Sequence, residues 1–302
     1  MECKVHPVLQ HTGLIAELCF RFLWVDWQLR ELCKLLREWD IRARLGRLPK
    51  GLTGVYDEII TSIKSQPDCN FDLAIRALQW MLVSEGPLEP TVLVAAAQVN
   101  PHVPVNGSAP SQESTLAVEL LIQSCEGLLL LYTTWYPDVV RFSHLSVQEY
   151  LETGNEIWDI GIIDAQLFVS ETCLWALQYG HGPGSPLYEY AAGNWFKHCR
   201  SYQDLVLSAG GTKHQLCVPL LNMFLGSFKQ ASASYITWVD WVGEFSQYDD
   251  RSPYCVRSTP LCPAFSAAFA GLGELVGGLW DSEENEINTR NYFGDSLLDI
   301  AS

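Results

Sequence analysis

The chain has 302 residues, of which 48% are apolar and 18% charged, and its formal net charge at neutral pH is −16. This length predicts two or three packed units, and the composition excludes a wholly disordered, collagen-like or coiled-coil chain. Because the excess of carboxylates repels phosphates, generic binding to nucleic acid or to an anionic membrane is disfavoured.

Ten cysteines are scattered along the chain, without a CxxC pair or a dense framework. The first 23 residues carry six charged or histidine side chains and no clean apolar core, which argues against a cleavable signal. No stretch reaches the roughly 18 apolar residues that predict a membrane span. Together these features predict a cytoplasmic protein with reduced, buried thiols.

The first hundred residues show a helical pattern. Apolar side chains recur at spacings of three and four residues in several segments, which predicts amphipathic helices. These segments are residues 20–37, 41–48, 55–63, 71–83 and 91–97. Asp40 is predicted to cap the second helix, and Pro49, Gly51 and Pro67 interrupt the series.

The pattern changes after residue 100. Residues 100–114 are rich in Pro, Gly, Asn and Ser and predict a loop, and residues 115–125 predict a further helix. Two short apolar runs follow, at 128–132 and 139–142, on either side of a turn at Trp135–Asp138. This spacing predicts a β-hairpin.

The hairpin is followed by Ser146 and, three residues later, Glu149, which is the spacing of a capping box. The box predicts a helix that continues through Leu151. Three helices, a hairpin and a closing helix make up a winged-helix arrangement, which we predict for residues 67–155.

A long helical region is predicted next. Its apolar-periodic segments are residues 165–178, 186–199, 214–229 and 231–245. The tryptophans expected to fill its core are Trp175, Trp195, Trp238 and Trp241. Residues 246–258 are polar and turn-rich and predict a linker.

The end of the chain contains a partial repeat. Cys262–Gly271 is followed by Glu274 and Val276, and aligning Cys262 with Ser296 gives a period of 34. This pattern resembles ankyrin repeats, with matches at Pro263, Ala267, Ala268, Gly271, Glu274, Val276, Asn288 and Gly294. Cys262, Phe265, Leu297 and Asp299 depart from the consensus. Because an isolated repeat cannot bury its apolar face, the resemblance implies a truncated array.

Residues 20–245 resemble fungal NACHT-type NLR-like proteins that carry ankyrin repeats. The motifs that carry this resemblance are Phe22–Val25 with Gln28–Leu29, Leu48–Leu52, Tyr56–Ile59, Arg76–Trp80, Pro87–Leu88, Val140–Leu151, and Tyr188–Ala192 with Trp195 and His198. In such proteins this stretch is the helical and winged-helix part that follows the nucleotide-binding core. The implied pathway is fungal self/non-self recognition or immunity-like signalling.

The core itself is not found in this chain. No G-x-x-x-x-G-K-[ST] motif occurs, and the nearest string, Gly210–Lys213, lacks the required spacing and order. We therefore expect no nucleotide binding by this chain alone and no cofactor. The predicted division is a helical linker at 1–66, a winged-helix domain at 67–155, a helical domain at 156–250 and truncated ankyrin repeats at 251–302.

His144 is the candidate site residue. It lies between the second predicted strand and the helix at Ser146. A helix N-terminus favours an anion, and an imidazole N–H beside it can donate to a phosphate. The resemblance implies that the histidine of the H-L-S-x-Q-E motif contacts the phosphate of a nucleotide held by a NACHT core. The alternative is a structural histidine that bonds locally.

The residues of two other candidate sites argue against a metal site and against a DNA-binding helix. His198–Cys199 and His214-x-x-Cys217 contain two His and two Cys, but the spacing is not that of a zinc finger, and core thiols are the favoured interpretation, so no metal is expected. The helix at 115–125, the candidate recognition helix of a DNA binder, carries Glu119 and no Lys or Arg.

The sequence therefore predicts a mainly α protein with a winged-helix domain, a small β-hairpin, a helical domain and partial ankyrin repeats. The predicted function is non-catalytic: a regulatory fragment that couples a nucleotide switch to a recognition array through protein–protein interaction. Its expected partners are proteins that contact the ankyrin and helical surfaces, and a NACHT core on a longer chain. The alternatives are an uncharacterised hydrolase-type enzyme and, below it, a winged-helix DNA binder.

Overall fold

The computed structural model describes residues 32–45, 52–103, 116–133, 137–154, 156–210, 218–227, 230–245 and 262–273, together with six single positions. Within these ranges the fold is mainly helical and contains a two-stranded antiparallel sheet. The prediction of a mainly α chain with a small β-hairpin is confirmed at this level. The expected linker at 246–258 and most of the second repeat lie outside the described residues.

Eleven helices and two strands have both of their ends within the described part of the chain. In chain order they are α1 (Glu38–Leu45), α2 (Leu52–Lys64), α3 (Asp68–Val83), α4 (Pro90–Gln98), α5 (Val118–Ser124), β1 (Leu129–Tyr132), β2 (Val139–Phe142), α6 (Leu145–Thr153), α7 (Ile162–Tyr179), α8 (Pro186–Ser208), α9 (Val218–Leu225), α10 (Ala233–Phe245) and α11 (Pro263–Phe269). Among the helices of the described ranges, none is both long and apolar enough to cross a membrane.

The strands β1 and β2 pair in the predicted hairpin, with Leu129 opposite Phe142 and Tyr132 opposite Val139. Leu88, just before α4, adds an isolated bridge to the outer side of β2, where the backbone N–H of Val140 donates to its carbonyl at 2.9 Å. The bridge fixes the hairpin against the helix that follows Leu88.

Several helix ends differ from the sequence prediction. Residues 34–37 are not helical, so the helix expected over 20–37 does not reach its predicted end, and α1 starts anew at Glu38. Helix α8 continues nine residues past 199, as far as Ser208, because the first αL glycine after it is Gly210. Helix α9 ends at Leu225, because Gly226 takes a φ of +87° and forms a bridge with Ala231.

Helices α7 and α8 form the centre of the fold and pack along each other, with α3 against α7 and α4 against α8. Of the predicted core tryptophans, Trp175, Trp195 and Trp238 are buried, whereas Trp241 is partly buried at the edge. The rings of Trp195 and Trp238 meet edge to face at 5.5 Å, a favoured aromatic geometry.

One apolar cluster extends from Val55 in α2 to Leu272 after α11. It includes buried residues on both sides of the boundary predicted between residues 155 and 156, such as Leu151 and Trp158. The four-part division remains a prediction, and the described elements share a continuous core.

Candidate functional site

His144 is the N-cap of helix α6. Its backbone is extended, with φ −155° and ψ 151°, and its Nδ1 accepts a hydrogen bond from the backbone N–H of Ser146 at 3.1 Å. The capping box predicted at Ser146 is therefore wrong by two residues. Ser146 lies inside the first turn. The imidazole of His144 accepts the backbone N–H that a Ser, Thr, Asp or Asn oxygen usually accepts at a helix N-cap.

This cap determines which ring nitrogen of His144 carries a proton. Because a backbone N–H donates to Nδ1, Nδ1 has to be an acceptor, and the neutral ring carries its proton on Nε2. The ring is half-buried, and Ser146 Oγ lies 2.6 Å from Nδ1. Both contacts hold the ring plane, so Nε2 is a fixed donor beside a helix N-terminus.

Ser146 links this cap to helix α2. Its Oγ lies 2.8 Å from the hydroxyl of Tyr56, a residue that is 1% exposed. A second bond between the same helices runs from the Tyr150 hydroxyl to Oδ1 of Asp57 at 2.7 Å, and the rings of Tyr56 and Tyr150 are 5.1 Å apart. Helix α6 is thus attached to α2 through two hydrogen bonds and a ring contact.

The helix that His144 caps is acidic. Helix α6 carries Glu149 and Glu152 and no Lys or Arg. Burial raises the pKa of Tyr56, the bond to Ser146 lowers it, and the charge of Glu149 raises it. Tyr56 therefore remains a neutral phenol. Helix α6 therefore offers an anion at His144 no cationic side chain of its own.

A second polar cluster is buried between α7 and α8. The side-chain amide of Gln166 donates to the backbone oxygen of His198 at 3.1 Å and lies 2.8 Å from its Nδ1. A carbonyl can only accept, so the NH₂ of Gln166 faces His198, and Nδ1 is again an acceptor. The proton is then on Nε2, which donates to the hydroxyl of Tyr190 at 2.9 Å. That hydroxyl also accepts the backbone N–H of Glu85 at 2.9 Å.

This cluster joins helices α7 and α8 and the turn after α3. His198 is fully buried, and burial, with a smaller effect of Lys197, lowers its pKa to about 4. Burial also raises the pKa of Tyr190 far above its usual value. Both groups are neutral at physiological pH, and both ring nitrogens of His198 are engaged. His198 and Cys199, considered above as metal ligands, are part of the core, and His214 and Cys217 lie outside the described residues.

Glu171 is a buried carboxylate on α7, only 3% exposed. Its Oε2 lies 3.3 Å from Nε2 of the exposed His102, which is close enough for an ion pair but does not have hydrogen-bond geometry. Desolvation raises the pKa of Glu171 to about 7. This carboxyl group therefore changes charge near neutral pH.

Sequence reasoning found His144 but missed Gln166, Tyr190 and Glu171. A signal was present, since Gln166 and Glu171 are polar residues within the apolar-periodic segment at 165–178. A polar side chain on a buried helical face needs a partner. The identity of the partner depends on how α7 and α8 pack, and one helix alone does not reveal it.

Comparisons with protein-family models, with curated proteins and with solved structures returned no match to this chain. Within the described ranges, no three His, Cys, Asp or Glu side chains come together as they would around a metal ion.

Proposed function

We propose that this chain is a non-catalytic regulatory and interaction module of a NACHT-type, NLR-like cytoplasmic signalling protein, in which His144 senses the nucleotide bound by a NACHT core. The observation that carries the proposal is the cap of α6, which holds the His144 ring so that Nε2 is a fixed N–H donor. A preorganised donor at a helix N-terminus suits a phosphate oxygen.

The link between the cap of α6 and helix α2 supports coupling between the nucleotide contact at His144 and the position of the linker. By resemblance, α2 belongs to the linker that follows the NACHT core, and α6 is the closing helix of a winged-helix domain. Because the Tyr56–Ser146 and Tyr150–Asp57 bonds join these helices, a displacement of the linker moves the ring of His144. Nucleotide exchange and linker position would then change together.

Exposed apolar side chains support an interface with another domain. Leu145 follows His144 directly and is 65% exposed, and Trp39 on α1 is 67% exposed. Side chains of this size at the surface are typical of contact sites, although single exposed residues are common. In the proposed receptor the NACHT core covers Leu145 while its nucleotide contacts His144.

Features between residues 262 and 299 support the ankyrin-repeat part of the proposal. Pro263 is in the first turn of α11, and Gly271 after this helix has a φ of +67°. One period later, Ser296 Oγ and its backbone N–H both donate to Oδ2 of Asp299, at 2.8 and 2.7 Å. Ser296 lies 34 residues after Cys262, which is the period expected of ankyrin repeats, and stacked repeats of this kind form surfaces that bind proteins.

The test places the full 302-residue chain behind a competent P-loop NACHT core and measures ADP retained after gel filtration. His144→Ala removes both cap and donor, whereas His144→Asn keeps a good N-cap but loses Nε2. One hydrogen bond to a charged phosphate is worth about 1.5–3 kcal/mol, so both variants should release ADP roughly ten- to a hundredfold faster.

The matched control is His181→Ala, an exposed histidine in the turn between α7 and α8, which should retain ADP normally. Normal retention by His144→Asn would leave His144 with a capping role alone and end the nucleotide proposal.

A hydrolase is the second candidate, because Ser146 Oγ lies 2.6 Å from a histidine nitrogen. In a nucleophilic Ser–His pair a third group orients the ring. No carboxylate of the described residues is hydrogen-bonded to His144. A fluorophosphonate probe that labels the wild type but not Ser146→Ala would favour the hydrolase, and absence of labelling would favour the regulatory module.

A further inference from the structure

An apolar heptad register runs through the N-terminal part of the sequence. Apolar side chains occur at alternating spacings of three and four residues at eight consecutive positions, which are Ile15, Leu18, Phe22, Val25, Leu29, Leu32, Leu36 and Trp39. This is the a and d spacing of a heptad, and it extends over about three and a half heptads. A repeat sustained over that length is typical of a helix that pairs with another helix.

The described members of this register are accessible in the single chain. The structure has helical backbone at Val25, Leu29 and Leu32. Val25 is 41% exposed, Leu29 55%, Leu36 97% and Trp39 67%. None of these side chains belongs to the apolar cluster of the fold, and α1 is not among the described elements that pack closely against a neighbour. Large apolar side chains that repeat at a fixed spacing and face water indicate a contact surface.

The register continues across an interruption of the helix. Residues 34–37 are not helical in the single chain, and α1 begins at Glu38. The residue types do not explain the interruption, because these four residues are Lys, Leu, Leu and Arg, which favour helices, and no Gly or Pro occurs between Gly13 and Gly46. A partner helix along the a and d positions would supply the packing that favours a continuous helix.

The charges favour a second copy of the same segment. Residues 14–45 contain six Lys or Arg and five Asp or Glu, so two copies of this segment are nearly neutral towards each other, although the whole chain has a net charge of −16. In the heptad, Arg21 is at a g position and Asp26 at the following e position. In a parallel pair these two positions lie next to each other across the interface, so each Arg21 would face the partner's Asp26.

We propose that residues 15–39 form a parallel, two-stranded coiled coil with the same residues of a second copy of this chain. The a and d side chains would then be buried against their counterparts, and the helix would continue through residues 34–37. A two-fold pair is the commonest arrangement of identical subunits. The proposal uses neither His144 nor a nucleotide and is independent of the NACHT proposal.

The test measures the mass of the full 302-residue chain by light scattering after gel filtration, at about 1 and about 100 μM. We expect twice the mass of one chain at the higher concentration. Leu29→Glu replaces a buried leucine by a carboxylate in both copies and should raise the dissociation constant at least about a hundredfold. The matched control is Leu120→Glu on α5, because Leu120 is 57% exposed and lies outside the register. This control should still form the pair.

A mixture of two variants tests the parallel arrangement. Leu29→Glu and Leu29→Lys should each be monomeric where the wild type pairs, and an equimolar mixture should recover the mass of a pair. Recovery requires residue 29 of one copy to lie opposite residue 29 of the other, as in a parallel pair in register. Hydrogen exchange of the backbone amides of residues 34–37 should be slower in the wild-type pair than in the Leu29→Glu monomer.

Thermal unfolding verifies that each variant is folded. A wild-type mass of one chain at both concentrations overturns the proposal, as does a pair that Leu29→Glu leaves intact or that Leu120→Glu abolishes. A mass of three chains overturns the two-stranded arrangement. A mixture that stays monomeric overturns the parallel arrangement, and equal exchange at residues 34–37 overturns the continuous helix.

Discussion

Replacement of Glu171 by Gln should change how the stability of the protein depends on pH. The pKa of Glu171 rises from 4.5 to about 7 because the carboxylate is desolvated inside the fold. Each pKa unit corresponds to about 1.4 kcal/mol, so the ionised side chain destabilises the folded state by about 3 kcal/mol. Gln has the shape of the protonated acid and carries no charge at any pH.

Whether stability rises or falls with pH depends on which state, folded or unfolded, keeps the proton of Glu171. Below pH 4.5 both states hold it, and Glu171 imposes no electrostatic penalty. Between pH 4.5 and 7 the unfolded chain loses the proton while the folded chain keeps it, so stability falls as pH rises. Above pH 7 the full penalty is present, and Glu171→Gln should be the more stable form.

The assay is urea-induced unfolding of wild type and variant at pH 4.5, 6 and 8, with the difference in unfolding free energy between them as the readout. This difference cancels the titration of the groups that do not contact Glu171, and it includes any coupling to His102, whose Nε2 lies 3.3 Å from the carboxylate. It should grow by about 3 kcal/mol from the lowest to the highest pH. The control Glu156→Gln changes an exposed carboxylate and should give a flat difference. A flat difference for Glu171→Gln would refute the argument that burial controls this carboxylate.

The other predictions concern stability and are measured by the same urea assay at pH 7. Tyr56→Phe, which removes the hydroxyl bonded to the cap of α6, should cost about 1 kcal/mol. Tyr190→Phe leaves the buried Nε2–H of His198 without its acceptor and should cost about 1–3 kcal/mol. Gly226→Ala should cost about 2–4 kcal/mol, because φ is +87° and the new Cβ would lie 2.5 Å from a backbone oxygen. Gly193→Ala, in open space on α8, should instead stabilise by about 0.5–1 kcal/mol. An unfolding free energy equal to that of the wild type, or changed in the opposite direction, would contradict the contact assigned to that residue.

Local patterns in the sequence predicted local structure well. The apolar period at 71–83 corresponds to α3, and the two short apolar runs to β1 and β2. The period marks a buried face whatever that face contacts, and the hairpin joins neighbours in sequence. The prediction at Ser146 was wrong because the cap is an imidazole, which does not belong to the usual capping residues.

Features that depend on distant contacts were not predictable in this way. The cluster of Gln166, Tyr190 and His198 exists because α7 and α8 pack together and place their polar groups opposite each other. A cavity beside Tyr188 is a gap between three helices, and no single segment encodes its volume. Periodicity reports which side of a helix is buried, and it contains no information about the partner on the other side.

The uninterrupted apolar cluster between Val55 and Leu272 has a practical consequence for work with fragments. A fragment that contains only the predicted winged-helix domain and ends at residue 155 would lack α7, the packing partner of α3. The apolar face of α3 would then be exposed to water. Such a fragment should precipitate or recruit chaperones, and its behaviour would be misread as a property of the native protein. Expression boundaries therefore belong outside residues 52–273.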